Sequence, residues 1–458
     1  MIAILRAAEP DGLRAASEGA VLAAFGRAIA EVPAYREIFS AAGNVPASRI
    51  VDIESFRRFA PLLDKHNTFG AHEVRDLCLA GSLEGVRSFL TSSGHSGVFS
   101  FGVNTSENLA RSAQSIDMGL EYVFGVDRRS TLLINALPMG VKVHTRATVL
   151  AETSVRDDMV FALVKKFARD FEQILIVAEG SFAKKILEDG AENHGIDWPS
   201  MRIGLITGEE GIAENYRDYV GGLIGGDPDD PANDRLVMSS MGVAELDLNI
   251  FHETRDTIRI RRLAHRNPAL RRALFGDATA VCPMFFIYYP HRCYVEELAG
   301  NGTEPELVIS MLSPEMKIPL LRYRSGDLGR VLDHGQVVET LARFGHAISP
   351  DLKLPFVAVH GRGNVLATGA NRLTPEEVKE AIYADRTVAA SVTGNFRLLA
   401  GEKTIDVLLQ LREGKHVGGD DEMRFQALLP SFARPRFFAY DSFPYGMCVD
   451  WERKFQYI

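Results

Sequence analysis

Hydrophobic residues change their spacing near residue 80, and the change separates two kinds of predicted structure. Before it, apolar residues recur at the three- and four-residue intervals of amphipathic helices, with a break at Val32-Pro33. From about residue 90 to 360, short apolar runs typical of buried strands alternate with helical stretches. Residues 1–80 are therefore interpreted as a helical lead-in without visible chemistry.

The apolar runs predict six strands, separated in places by amphipathic helices. We expect strands at 131–136, 173–178, 202–207, 235–239, 284–288 and 306–311, and helices at 157–168 and 181–189. Strands that alternate with helices form buried, partly parallel sheets. Because ligands bind beyond the carboxyl ends of such strands, the loops there are where functional residues are expected.

A smaller unit is predicted after Gly361. Thr374 is placed to cap a helix, with Pro375 at the first helical position and Glu377 three residues after the cap. A strand, a helix and a strand are expected at 404–411, 420–429 and 436–440. The predicted fold class is α/β. A large N-terminal domain, 1–360, has mixed β-sheets flanked by helices, and a small mobile α+β domain, 361–458, forms a lid.

Composition narrows the class of protein. The chain has 458 residues, more than one small domain holds, and its 51 Lys and Arg against 60 Asp and Glu give a net charge of -9. That balance argues against a general nucleic-acid binder. The cysteines at 78, 282, 293 and 448 form no close pair, and no apolar run approaches the ~18 residues of a membrane span. We expect a cytoplasmic protein without nucleic-acid or membrane partners.

A loop rich in glycine and hydroxyl groups follows the lead-in. Its backbone N–H groups and hydroxyls are suited to phosphate oxygens, although a plain surface turn has the same composition. The loop comprises Thr91, Ser92, Ser93, Gly94, His95, Ser96 and Gly97.

Two other enzyme classes use similar loops. A serine hydrolase would use Ser96 as its nucleophile, but its strand-to-helix turn needs glycine two positions later, where this chain has Val98. The lysine of a P-loop is absent after Gly97. The hydrolase remains a minor alternative, and the usual kinase or ATPase signature does not apply.

Four further segments follow in order at 207–210, 239–245, 323–327 and 361–364, with Lys454 after them. Together with the loop at 91–97, this series resembles the adenylate-forming superfamily of acyl-CoA synthetases. It is most similar to the phenylacetate-CoA ligase-like branch, which includes ligases that activate aromatic acids in phenazine-type antibiotic biosynthesis. The resemblance runs from about residue 89 onward.

The resemblance implies a two-step reaction with ATP, Mg²⁺ and CoA. A carboxylate attacks the α-phosphorus of ATP, pyrophosphate leaves, and a thiol then displaces AMP from the acyl-adenylate. Such displacements depend on positioning and charge neutralisation more than on a protein nucleophile. The expected substrate is an aryl or otherwise small acid.

The resemblance also assigns roles to individual residues. Thr91 to Gly97 would hold the phosphates, and Asn364 would be the hinge of the lid. Lys454, Glu245 and His95 form the expected catalytic group, with Glu245 also binding Mg²⁺. The residues expected to bind adenine and ribose are Gly208, Glu209, Ser240, Met241, Gly242, Asp327 and Arg362. Taken alone, Glu245, Asp327 and Lys454 would be interpreted as a loop acid, a turn aspartate and a tail lysine.

Several alternatives stay open. The acyl group could pass to a carrier protein or an amine instead of CoA, and a homodimer is also considered. Met241 stands where the family has an aromatic residue, and Ala244 where it has threonine, so a non-catalytic nucleotide-binding relative is a further alternative.

Two more regions allow both a structural and a functional interpretation. The arginines at 259, 261, 262, 266, 271 and 272 predict a solvated basic helix, with contact to CoA phosphates or an acidic carrier as the alternative. The runs 137–141 and 285–289 are candidate walls of the acyl pocket, although such runs are usually core strands.

Overall fold

The computed structural model describes most of the chain. The described residues are 2–43, 45–92, 97–230, 232–276, 280–299, 304–444, 451–452 and 455–458. The predictions made for Ser93, Gly94, His95, Ser96 and Lys454 lie outside the described residues. In the part that is described, no helix has the length and apolar character needed to cross a bilayer.

One large mixed sheet dominates the described structure, with the order β10-β11-β12-β13-β9-β8-β7-β6-β5-β3-β4. From β10 to β7 every pair is antiparallel, and from β7 to β4 every pair is parallel. Its strands are β3 (Thr131–Ala136), β4 (Val149–Glu152), β5 (Gln173–Glu179), β6 (Ile203–Gly208), β7 (Val237–Val243), β8 (Asp247–His252), β9 (Met284–Tyr288), β10 (Cys293–Leu298), β11 (Glu306–Met311), β12 (Tyr323–Leu332) and β13 (Phe356–Gly361).

The apolar runs of the sequence became these strands because both faces of the sheet are covered. Every side chain of β3 and β9 is buried, as is nearly all of β5 and β6. The strands expected at 131–136, 284–288 and 306–311 have those bounds, and the other three are present with shifted ends. The α/β fold class with mixed sheets and flanking helices is confirmed.

Helices surround the sheet, and the lead-in is helical as expected. Phe25, Phe39 and Phe56 meet edge to face and hold the lead-in helices together. The helices before the C-terminal region are α1 (Ile2–Ala7), α2 (Pro10–Glu31), α3 (Pro33–Ala42), α4 (Ile53–Phe59), α5 (Val74–Leu77), α6 (Ser106–Phe124), α7 (Asp157–Phe167), α8 (Gly180–Glu192), α9 (Glu214–Leu223), α10 (Arg255–Arg266), α11 (Pro268–Phe275) and α12 (His334–Arg343). A separate hairpin pairs β1 (Val86–Thr91) with β2 (Phe101–Thr105).

The C-terminal region, residues 361–458, has small sheets of its own. Thr374 and Glu377 form the reciprocal cap that the sequence predicts for α13. The strands are β14 (Leu366–Thr368) and β15 (Asn371–Leu373), which pair with each other, and β16 (Val392–Ala400), β17 (Ile405–Leu411) and β18 (Ala433–Phe438), which form a three-stranded sheet. The helices are α13 (Pro375–Ala384), α14 (Arg386–Ser391) and α15 (Gly419–Leu428).

Charged contacts hold this region against α8. Arg412 bridges Glu188, Asp189 and Glu192 at 3.0–3.1 Å. The fully buried Lys184 donates to Glu188 and to the Val392 carbonyl, each at 2.7 Å. Because a buried charge is costly without partners, these contacts favour one arrangement of the region over others.

A buried ion cluster lies beneath β7. Glu214 accepts from Arg217 at 3.0 Å, Arg261 at 2.6 Å and Arg262 at 3.3 Å, and Glu253 accepts from Arg217 at 2.7 Å. Burial alone would raise the pKa of Glu214, but the arginines outweigh it and lower the pKa to about 2.

The cluster corrects the prediction for the basic helix. Arg261 and Arg262 are 1% and 4% exposed, so they are not solvated. They belong to the interior because α9 supplies the carboxylate of Glu214 that neutralises them. Arg259, Arg266 and Arg272 are exposed, as expected.

Replacing Glu214 should destabilise the large sheet. The substitution Glu214→Gln removes the carboxylate charge that three buried arginines share. Loss of one partner of a buried ion pair lowers the free energy of unfolding by about 3–5 kcal/mol. We expect a lower urea midpoint by circular dichroism. The control Asp11→Asn, which removes the exposed pair with Arg14, should change little, and an equal effect of both would contradict the role of the cluster.

Candidate active site

A cavity of about 220 Å³ opens where the parallel and antiparallel halves of the sheet meet. Residues at the carboxyl ends of β6 and β7 line it, together with parts of α6, β8 and the β1–β2 hairpin. Since strand direction reverses beyond β7, loops diverge here and leave a crevice. Four of the five motif segments, those beginning at 91, 207, 239 and 361, contribute described residues to its lining.

The β1–β2 hairpin brings Thr91 and Ser92 to the cavity. Ser92 closes the base of its loop, since its N–H donates to the Ser100 carbonyl and its Oγ accepts from the Ser100 N–H, both at 3.0 Å. The other described member of the loop, Gly97, has φ 80°, which favours glycine.

The hairpin lies directly against the turn after β7. A Cβ at Gly102 would be 2.2 Å from the Ala244 carbonyl oxygen, so only glycine fits without movement. This contact sets the hydroxyl-rich loop beside Glu245.

Glu245 lies in that turn and is 3% exposed. The Tyr323 hydroxyl donates to its Oε1 at 2.6 Å, and the Lys65 Nζ lies 3.8 Å from the same oxygen. Burial and the neighbouring Glu245 carboxylate raise the pKa of Tyr323 above its ordinary value, so the phenol remains a neutral donor.

Lys65 reaches the cavity because its loop is tied to β12. The Leu63 N–H donates to the Arg322 carbonyl at 3.0 Å, and the Arg324 N–H donates to the Leu63 carbonyl at 2.8 Å. This parallel bridge holds Lys65 at the rim. The expectation that residues 1–80 hold no chemistry therefore needs correction.

Asp327 and Arg362 form a pair behind the rim. The Arg362 Nε donates to Asp327 Oδ1 at 3.3 Å, and Arg362 lines the cavity while half of its side chain stays exposed. The buried Oδ2 of Asp327 has no hydrogen-bond partner among the described residues. An unpaired buried carboxylate oxygen indicates an acceptor that a ligand completes.

Of the remaining residues predicted to bind the nucleotide, all but one line the cavity. Gly208, Glu209, Ser240 and Gly242 line the cavity, and Glu209 has φ 73°, which turns the chain sharply after β6. Met241 packs against the main core instead, and it is absent from the cavity lining as far as the structure describes it.

The described residues provide no group of three or more acidic, histidine or cysteine side chains for a metal. Glu245 is nevertheless a suitable single ligand for Mg²⁺. That cation is commonly held by one or two carboxylates with the rest of its shell from water and substrate phosphates. A single carboxylate therefore fits a Mg²⁺ ion whose other ligands are water and phosphate oxygens better than it fits a metal held by the protein alone.

The other end of the cavity is apolar. Its lining includes Leu120, Leu133, Val177, Ile206 and Met238, together with the predicted wall residues Leu137, Met139 and Val141. The prediction of a second wall at 285–289 is wrong for the described lining, because β9 pairs with the edge of β8 opposite β7 and is buried in the core. The buried His252 on β8 lines the cavity instead.

The C-terminal tail is anchored at the rim. Glu452 accepts from the Met139 N–H at 2.5 Å and from Ser154 Oγ at 2.7 Å, and Trp451 packs on Phe182. Lys454 follows two positions later in the sequence and lies outside the described residues.

Sequence reasoning missed Lys65, the role of Tyr323 and His252. Tyr323 begins segment 323–327 of the motif series, so its position there was a usable signal. Lys65 and His252 carried none, since each belongs to an ordinary polar stretch that follows apolar residues, at 64–68 and 252–257.

Sequence comparison alone finds no match, neither among protein-family models nor among curated proteins. Solved structures of 2-hydroxyisobutyryl-CoA ligase superpose on nearly the whole chain. Its postadenylation state with R3-HIB-AMP gives a TM-score of 0.69 at 14% identity, covering 98% of this chain and 89% of the ligase.

Two other states of the same ligase are less similar. Its thioesterification state with 2-HIB-AMP and CoA gives a TM-score of 0.56 at 14% identity, covering 94% of this chain and 87% of the ligase. Its open conformation gives 0.55 at 14% identity, with 96% and 89% covered. The chain therefore has the fold of the adenylate-forming CoA ligases, which is the fold that the order of its motifs predicts.

Proposed function

We propose that the protein is an AMP-forming acid–thiol ligase that activates a compact carboxylic acid with ATP and transfers the acyl group to CoA. The observation that carries the proposal is the two-ended cavity. Hydroxyls, Glu245 and the Asp327–Arg362 pair surround one end, and an apolar pocket forms the other. A nucleotide with its charged phosphates and an acid with an apolar body fit these two ends.

The proposed adenylation step uses the polar end. Thr91 and Ser92, with the rest of their loop, hold the β- and γ-phosphates, while Gly208 and Ser240 contact the base and ribose. The unpaired Oδ2 of Asp327 accepts from a ribose hydroxyl, and Oδ1 keeps Arg362 in place.

The main requirement of this step is the neutralisation of negative charge. That charge builds up as a carboxylate oxygen attacks the α-phosphorus and pyrophosphate leaves. Lys65, Arg362 and Lys454 are the proposed cations of the chain. Glu245 would hold Mg²⁺, which neutralises phosphate charge, and the Tyr323 hydroxyl orients that carboxylate.

The second step needs a different arrangement of the lid. The higher similarity to the postadenylation state than to the thioesterification state supports an adenylation-like arrangement here. Asn364 is exposed and follows Gly363, whose φ is 66°, between β13 and β14. Rotation at Asn364 would break the Arg412 contacts with α8 and let CoA approach the acyl carbonyl carbon, with AMP as leaving group.

The finer assignments follow from the same site. The acid is an aryl or other small acid, because the apolar end is one part of a single cavity and is lined by side chains such as Leu120, Leu133 and Ile206. We infer a place in the phenylacetate-CoA ligase-like branch and in antibiotic biosynthesis from the motif series, and a cytoplasmic location from the need for ATP and CoA.

Acid-dependent exchange of labelled pyrophosphate into ATP is the decisive measurement. A panel of small aryl and branched acids should include at least one that supports exchange, and CoA should then be consumed with AMP release. If ATP binds and no acid supports exchange, the proposed ligase activity is wrong. If exchange occurs and an amine or carrier protein replaces CoA as acceptor, only the acceptor assignment fails.

Asp327→Asn should weaken nucleotide use. Loss of the charged acceptor removes a hydrogen bond worth about 1.5–3 kcal/mol, so KM for ATP in the exchange assay should rise about 10- to 100-fold. The matched variant Asp333→Asn changes an exposed aspartate of the same strand region and should leave KM unchanged. Equal values for the two variants would contradict the role of Asp327.

Asn364→Pro should separate the two half-reactions. Proline fixes φ near −65°, so the hinge loses the freedom that rotation requires while the adenylation-like arrangement persists. We expect exchange to be retained and CoA thioester formation to be abolished. The variant Asn364→Ala should keep both activities, and a parallel loss of both in Asn364→Pro would refute the hinge.

A further inference from the structure

The apolar end of the cavity contains a buried imidazole. His252 ends β8, is 1% exposed and lines the cavity. It lies close to α6, since a Cβ at Gly119 would be 3.5 Å from His252 Nε2. A polar ring in this position is unexpected for a pocket that only has to bury hydrocarbon.

One ring nitrogen of His252 is already engaged. Nε2 lies 3.3 Å from the hydroxyl of Tyr289, which is itself 1% exposed. Burial raises the pKa of Tyr289, so the phenol keeps its proton. Burial, and then the charge of Arg292, lowers the pKa of His252 to about 3, so the imidazole is neutral. We assign the hydrogen bond as phenol O–H to Nε2, because the phenol is the stronger donor.

This assignment leaves Nδ1 carrying a hydrogen. Nδ1 is buried and has no partner among the described residues. The nearby Arg292 cannot accept a hydrogen bond from Nδ1, because a guanidinium only donates. It already donates to Asp247 and to the Asn249 carbonyl. An unpaired buried polar group costs about 1–3 kcal/mol, which a leucine here would avoid. A ligand atom that accepts from Nδ1 removes that cost.

We propose that His252, oriented by Tyr289, donates a hydrogen bond to the acyl part of the substrate, so that the acid carries an oxygen or nitrogen acceptor on its carbon skeleton. The inference rests on the proposed ligase function and names the substrate class within it. The apolar end is only one part of a cavity of about 220 Å³, so a compact acid, with a single ring or a short branched chain, suits it best. Hydroxy-, keto- and ring-nitrogen acids of that size are the members of the class.

His252 would then act as a specificity-determining residue. A site built to pair with a substrate group rejects the analogue that lacks it, because the protein group stays buried and unpaired. For one hydrogen bond between neutral groups, the preference should be about 10-fold, which corresponds to about 1.4 kcal/mol.

The test compares pairs of acids that differ by one acceptor, such as an aryl acid with and without a ring hydroxyl or ring nitrogen. Exchange of labelled pyrophosphate is measured for the full-length protein and for His252→Leu. We expect the unaltered protein to prefer the acceptor-bearing acid about 10-fold in kcat/KM. His252→Leu should reverse or abolish the preference while KM for ATP stays unchanged.

Two further variants make the result specific. Tyr289→Phe keeps the imidazole but removes its orienting partner, so it should reduce the preference and spare most activity even if His252→Leu folds poorly. Asn249→Leu changes another polar residue of the cavity lining and should leave the preference intact. If Asn249→Leu abolishes it and His252→Leu does not, the inference is overturned.

The outcome also separates this inference from the proposed function. Exchange with at least one acid supports the ligase, whatever the preference. An identical ratio in the unaltered protein and His252→Leu overturns the role of His252 alone. If no acid supports exchange in the unaltered protein, both proposals fall.

Discussion

The structure depends on how β7 satisfies its backbone at the point where the sheet changes from parallel to antiparallel. In its first half β7 pairs with β6, and pairing with β8 starts only at Ser240. Side chains pair with the backbone groups of β7 that β8 does not reach. Arg217 donates to the Val237 carbonyl, and Glu253 accepts from the Ser239 N–H at 2.8 Å. An unpaired backbone group here would cost about as much as a lost hydrogen bond.

The ion cluster beneath β7 therefore supports the hydrogen bonds that side chains make to the β7 backbone. Glu214 and Arg261 neutralise the groups that cap β7, and Arg261 also donates to the carbonyls of Ile212 and Pro283. A rigid junction results, from which the turn carrying Glu245 projects into the cavity. Tyr323 reaches that carboxylate from β12, on the far side of β13, β9 and β8. Polar groups from distant strands converge because the twisted sheet brings their ends to one crevice.

The C-terminal region packs against this base through α8 and α9. Its contacts combine ion pairs, such as those of Arg412 with Glu188 of α8, with apolar packing, such as that of Tyr383 on Tyr216 of α9. Both kinds of contact hold the region in the arrangement seen here, and the proposed rotation at Asn364 would have to break them. The anchoring of Glu452 near Met139 places the segment before Lys454 at the same rim.

The sequence by itself determined the elements. Apolar runs long enough to be buried on both faces predicted β3, β5, β6 and β9, and the cap at Thr374 predicted the start of α13, because these are local patterns of burial and hydrogen bonding. The order of the motif loops also predicted that they would meet, since strand ends of one sheet share an edge.

Tertiary structure alone decided which polar residues became functional neighbours. Arg261 and Arg262 look like surface charges in the sequence. They can be buried because the carboxylate of Glu214, supplied by another helix, neutralises their charge. Lys65 comes close to Glu245 because a single bridge joins two distant segments. His252 lines the pocket because β8 is the strand next to β7, whereas β9, a predicted wall, lies one strand farther away. Such pairings depend on contacts between residues far apart in the chain, and no local spacing encodes them.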